Sequence, residues 1–131
     1  MPSYSKTANG NIAPSRFVIL DTTNFGNVTQ CALNGIPYGV SQPGTRNAPY
    51  PGLDDGYAAI AGDHLFIYGP PDKDIMLELG GTVAIGDHLE SDSSGRGVTT
   101  TTTGQWIGAI AQAPGTIGQL IPVQLVAPAQ Y

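Results

Sequence analysis

Charge is what this sequence has least of. Lys and Arg number 5 and Asp and Glu 10 in 131 residues, so 11% of the chain is charged, against about 25% in an ordinary domain. The net charge is -5 and no basic residue has a basic neighbour. Holding phosphates takes clustered Lys and Arg, so nucleic acid is excluded as a partner. Cysteine occurs once, at Cys31. No intrachain disulfide can form, which excludes a stapled secreted fold and predicts a buried, inert thiol. Nor is there a run of about 20 apolar residues to cross a bilayer. Met1 to Arg16 also lack the charged start and apolar core of a secretory leader. The expectation is a soluble chain made in a cytoplasm, with no membrane partner.

Helix formers are scarce as well. Glu occurs only at Glu78 and Glu90, while Gly (18) and Pro (11) interrupt most stretches of ten residues; both weaken helix interiors, so no long helix is expected. The 40% apolar content is still that of a globular chain. A chain of this length forms one domain with a real core. Its surface must then be rich in Thr, Ser, Asn, Gln and Gly. Such groups are cheaper to dehydrate than Lys or Glu and suit burial against other subunits.

What is present reads as short strands. Apolar or alternating runs cover 17–20, 28–32, 38–41, 65–68, 75–79, 82–85, 98–102, 106–111 and 120–126, separated by Gly, Pro, Asn and Asp. Spacings of this kind favour a sandwich or barrel over alternation with helices. The fold class is therefore all-β: a small β-barrel or β-tulip-like sandwich of short, mainly antiparallel strands. Residues 1–15 are polar and without period, and are expected as an extended N-terminal arm ahead of a single β domain over 16–131. Pro122 interrupts the last run and favours an edge strand or a bulge. Residues 42–58 carry three Pro and three Gly with Tyr50 and Tyr57, and read as an irregular loop, either self-packed or touching another subunit.

Gly62-Asp63-His64-Leu65 recurs as Gly86-Asp87-His88-Leu89. Were the two copies to converge, their imidazoles and carboxylates would suit zinc. The simpler reading makes each Gly-Asp a turn into a strand: Gly takes the unusual backbone angle, Asp holds local N–H groups, Leu enters the core and His faces out. No metal site or other cofactor is assigned. No catalytic residue is assigned either: Gly39-Val40-Ser41-Gln42-Pro43 fails the nucleophile-elbow pattern at its last position, and Asp72-Lys73-Asp74 lacks the later Gly and Glu of a calcium loop. Trp106 is either a core residue or an interface anchor.

Several stretches together resemble the head decoration, or capsid cement, proteins of tailed bacteriophages. They are Ile12 to Val18, Gly35 to Ser41, Gly80 to Leu89 with Ser91 to Gly95, Gly108 to Ala111, and Gly115 to Val123. The order of these Gly-punctuated strands across the whole chain carries the resemblance. It implies a β-barrel or β-tulip-like domain, commonly a homotrimer, on the outer surface of the virion between capsomers of the phage major capsid protein. It implies no catalytic residues. Candidate interface anchors are then Tyr4, Ile12, Tyr50, Tyr57 and Trp106. A phage fibre, spike or carbohydrate-binding β module is the alternative, and a metal-dependent hydrolase built on the Gly-Asp-His turns a third.

Overall fold

The computed structural model describes residues 3–21, 26–32, 35–43, 57–70, 72–101 and 103–130, the first three by backbone only. Among these residues every regular element is a strand. Strands β1 (Ser3–Ala8), β2 (Phe17–Leu20), β3 (Asn27–Gln30), β4 (Gly39–Ser41) and β5 (His64–Tyr68) close a barrel in the order β1-β3-β2-β4-β5, with β5 returning to β1. Strands β6 (Ile75–Glu78), β7 (His88–Ser91), β8 (Gly97–Thr99), β9 (Trp106–Ala111) and β10 (Leu120–Gln130) form a second sheet in the order β6-β10-β9-β7-β8. All strand pairs are antiparallel except β1 with β3. The all-β class read from the sequence, a small barrel or sandwich of short strands, is the observed one, realised as a closed barrel with a second sheet.

Alternation on β2 divides the interior in two, because successive side chains leave a strand on opposite faces. Val18 points into the barrel with Ile12, Val28, Leu65 and Ile67. Phe17 points the other way, into a second core with Cys31 and Val40 from the barrel and Leu77, Leu89, Val123 and Leu125 from the sheet. One barrel wall thus serves both cores. Gly108 of β9 lets the layers close: a Cβ there would lie 2.6 Å from the Pro37 Cβ and 3.1 Å from Phe17 Cε1.

Polar groups fasten the same seam. Arg16 Nη1 donates to the Ser94 carbonyl at 2.9 Å and Nη2 meets Glu78 Oε2 at 3.1 Å. Gln30 Nε2 donates to the same carbonyl at 2.9 Å, and the Phe17 N–H reaches the Gly95 carbonyl at 2.7 Å. The hairpin that presents these carbonyls is shaped by Asp92, whose carboxylate accepts from the Ser94 and Arg96 N–H groups and from Arg96 Nε at 2.8, 2.9 and 3.0 Å.

One turn geometry introduces three strands, and a variant opened by the Ser41 hydroxyl introduces a fourth. The turns 60–63, 84–87 and 116–119 place Gly62, Gly86 and Gly118 at φ of 92°, 87° and 84°, the third position of a type II turn. In each, the fourth residue's side chain accepts the first residue's N–H: Asp63 from Ile60 at 3.2 Å, Asp87 from Ala84 at 2.9 Å and Gln119 from Thr116 at 2.8 Å. Leu65 and Leu89 are buried and His64 and His88 exposed, so the repeated Gly-Asp-His-Leu is the strand-starting turn read from the sequence. The fourth turn, 13–16, has Ser15 at φ 55° and ends in Arg16, which cannot accept. Gln30 Oε1 takes the Ala13 N–H at 2.8 Å instead, and Arg16 is released to the seam.

Three expectations are corrected. Residues 3–8 do not stand apart as an arm: they form β1, zipped to β5 from Ser3↔Tyr68 to Thr7↔His64, and Ala8 and Ile12 belong to the barrel core. Their polar composition hides this, since only one face of β1 meets the interior. Residues 82–85 form no strand; Val83 makes an isolated bridge with Gly115 and the chain then turns. Pro122 lies in a central strand, opposite Met76 of β6, where its carbonyl accepts from Gln112 at 3.0 Å. Its missing N–H falls just beyond the end of β9, which is why the ladder tolerates it; the irregularity in β10 comes later, between Leu125 and Ala129.

Three outcomes follow. Arg16→Ala strands Glu78 and part of the Ser94 carbonyl, and should lower stability by about 2 kcal/mol in urea titrations. Gly86→Ala meets open space, so its cost is backbone strain alone, about 1–2 kcal/mol by the same assay. Burial pushes the Cys31 thiol up. A raised value means that this contribution is complete below the unfolded thiol's pKa of about 8.5 and is lost as pH rises through it towards the folded value. Ellman's reagent should leave native Cys31 untouched at neutral pH and titrate it fully in denaturant.

Candidate functional site

Four of the five sequence-derived anchors fall among the described residues, Tyr4 by its backbone alone. Tyr4 lies in β1 opposite Ile67, and Ile12 is fully buried in the barrel core, bridged to Ala59, so it is no surface anchor. Its apolar character reflects packing. Tyr57 is half-buried just ahead of the buried Ala58 and Ala59. Trp106 is half-buried at the start of β9, opposite Gln130 of β10, and stands outside both core clusters. Tyr50, and with it most of the 42–58 loop, lies outside the described residues.

The two Gly-Asp-His turns stay apart in their roles, one leading into barrel strand β5 and the other into sheet strand β7. Among the described residues no three His, Cys, Asp or Glu side chains gather as metal ligands would. Asp87 is occupied structurally, accepting the Thr99 hydroxyl at 2.9 Å besides the Ala84 N–H.

What the fold does form is an apolar groove of about 420 Å³ between the barrel and the tail of β10, lined by Ile19, Leu20, Ile36, Pro37, Tyr38 and Pro128. The Tyr38 phenol is the one titratable group among these, and Lys6 Nζ sits 5.9 Å from its ring centroid on the barrel side. Leu20 and Ile36 are about half exposed. Such a lining suits an apolar side chain and offers no nucleophile or acid–base pair. Sequence periodicity does not mark this groove: Leu20 reads as the end of a core strand, and Pro128 reaches the groove only through the irregularity in β10.

A second apolar region lies at the turns themselves. Ile85 and Ile117 occupy the outward corners of the turns 84–87 and 116–119 and are exposed, as is Leu120 at the start of β10. The signal for them was legible only once the turns were recognised, because an isoleucine between Ala84 and Gly86 reads as a strand residue until the corner is seen.

No family model matches the sequence, and no curated protein does. Among solved structures, the crystal structure of the N base of head fibre gp8.5 from bacteriophage phi29 is similar in fold, with a TM-score of 0.65 over 95% of this chain and 93% of that one, at 19% identity. At that coverage the likeness takes in both the barrel and the second sheet.

Proposed function

We propose that this chain is a non-enzymatic structural protein of a phage head, attached to the outer surface of the capsid as a decoration or cement protein. In this reading it assembles as a homotrimer, sits between capsomers of the major capsid protein and stabilises the shell. The observation that carries the proposal is the full-length likeness in fold to a head-fibre base. The ordered strand motifs in the sequence point independently to head decoration proteins. A low-charge surface with half-exposed apolar side chains fits repeated contact with neighbouring subunits, and a trimer spanning several capsid subunits makes individually modest contacts act together. With β1 committed to the barrel, the 42–58 loop with Tyr50 and Tyr57, and the apolar groove, are the proposed shell contacts.

The base of a head fibre is the second reading, favoured by what the similar structure is, the N base of a head fibre. Co-sedimentation with emptied shells and a thermal melt of those shells separate the two. A cement protein should pellet with shells and raise their melting temperature. A fibre base should pellet and leave the melt unchanged, and a chain that stays in the supernatant belongs to neither.

A further inference from the structure

Charge is distributed unevenly along this chain. Every Asp, Glu, Lys and Arg lies between Lys6 and Arg96, and residues 97–131 have none. The topology gathers part of this uncharged stretch at one end of the second sheet. Strand β9 runs antiparallel to both β7 and β10, so the end of β9 at Ala111 lies beside the starts of β7 and β10. Strand β6 finishes there too, Glu78 opposite Leu120. Residues 79–86 and 112–120 cap this end, and neither stretch holds a charged residue. The carboxylates beside these stretches are Asp87, which accepts from Ala84 and Thr99, Glu78, which meets Arg16 at 3.1 Å, Asp92, which lies against Gly80 and pairs with Arg96 at 3.0 Å, and Asp74, whose N–H donates to Gln112.

From this end project Ile85, Ile117 and Leu120, at 69%, 62% and 50% exposure; the first two are the most exposed large apolar side chains among the described residues. The fold does not require them. The corner of the matching barrel turn 60–63 is filled by Ala61 in the same backbone geometry, and the related turn 13–16 has Pro14 there. Leaving an isoleucine in water at the same corner contributes nothing to either core. The two sheet turns follow an antiparallel bridge between Val83 and Gly115, closed by N–H···O bonds of 2.9 and 3.2 Å, and the chain departs from the two sides of that bridge in opposite directions. Ile85 thus stands where the chain enters β7 and Ile117 where it enters β10, the two strands that flank β9.

We propose that this end of the sheet is where copies of the chain meet one another, the Ile85 side of one copy against the Ile117 and Leu120 side of the next. Charge favours a second copy as occupant, because chains of net charge -5 repel one another and approach most cheaply where the chain itself carries no charge, as in 79–86 and 112–120. A basic partner would gain more elsewhere, over the acidic residues that precede Arg96. Two separate knobs let each copy touch two others, the head-to-tail contact from which a closed ring is built. The inference rests on the self-association in the proposed function and is independent of how the shell is bound.

The test is the solution mass, by light scattering, of the full chain and of the double variant Ile85→Glu with Ile117→Glu. Both positions are solvent-exposed corners, so an unchanged circular dichroism spectrum should accompany the substitutions, while the melt falls only as far as lost association requires. The wild type should be a multimer and the variant should fall to the single-chain mass of 13.5 kDa. Phe66→Glu, an exposed aromatic substituted on the barrel, should keep the wild-type mass. A wild-type single chain, a double variant that stays multimeric, or dissociation by Phe66→Glu as readily as by the double variant would each overturn the proposal. Co-sedimentation with shells reads the attachment separately, so failure here does not decide that question.

Discussion

The seam around Phe17 is the constraint on which the rest of the structure depends. A five-stranded barrel of short strands has room inside for only a small cluster of side chains, and a five-stranded sheet with one apolar face needs that face covered. Turning one wall of the barrel against the sheet meets both needs. Phe17 and Val40, opposite each other on β2 and β4, enter the sheet's core, while Val18 between them in alternation stays with the barrel. Close approach at Gly108 and the convergence of Arg16 and Gln30 on the Ser94 carbonyl hold the two layers in register.

The turn geometry is the second organising element, and it shows how far the sequence could be read. Two of the four turns were visible because they share Gly-Asp-His-Leu. The turn 116–119 was hidden because Gln119 does the work of the aspartate, and 13–16 because Ser15 takes the glycine's conformation while Gln30, from another strand, takes the aspartate's role. Chemistry that can be supplied by several residue types, or from a distance, leaves no fixed local pattern. The exchange at Arg16 also ties a local turn to the seam between the layers.

Strands with both faces committed were the easiest to read: 17–20 and 106–111 match β2 and β9 residue for residue. Strand β1 was missed because its polar residues give little period, and its place in the barrel depends on pairing with β5, some sixty residues later in the chain. Pro122 misled for a related reason, since whether a missing N–H matters depends on where the neighbouring strand ends. The surfaces were the least legible. Apolar side chains at exposed corners and along a groove look in sequence like core residues, and only the fold shows that Ile85, Ile117, Leu20 and Ile36 are left uncovered.

An exposed apolar surface on a chain with so little charge makes sense in an assembly, where those residues are covered by neighbours. The central claim is therefore attachment to a phage head. Its most direct test is electron cryo-microscopy of shells mixed with the purified chain and compared with bare shells. The proposed function requires added density on the outer surface, repeated at equivalent positions between capsomers and fitted by the barrel-and-sheet fold. Shells identical with and without the chain would contradict it.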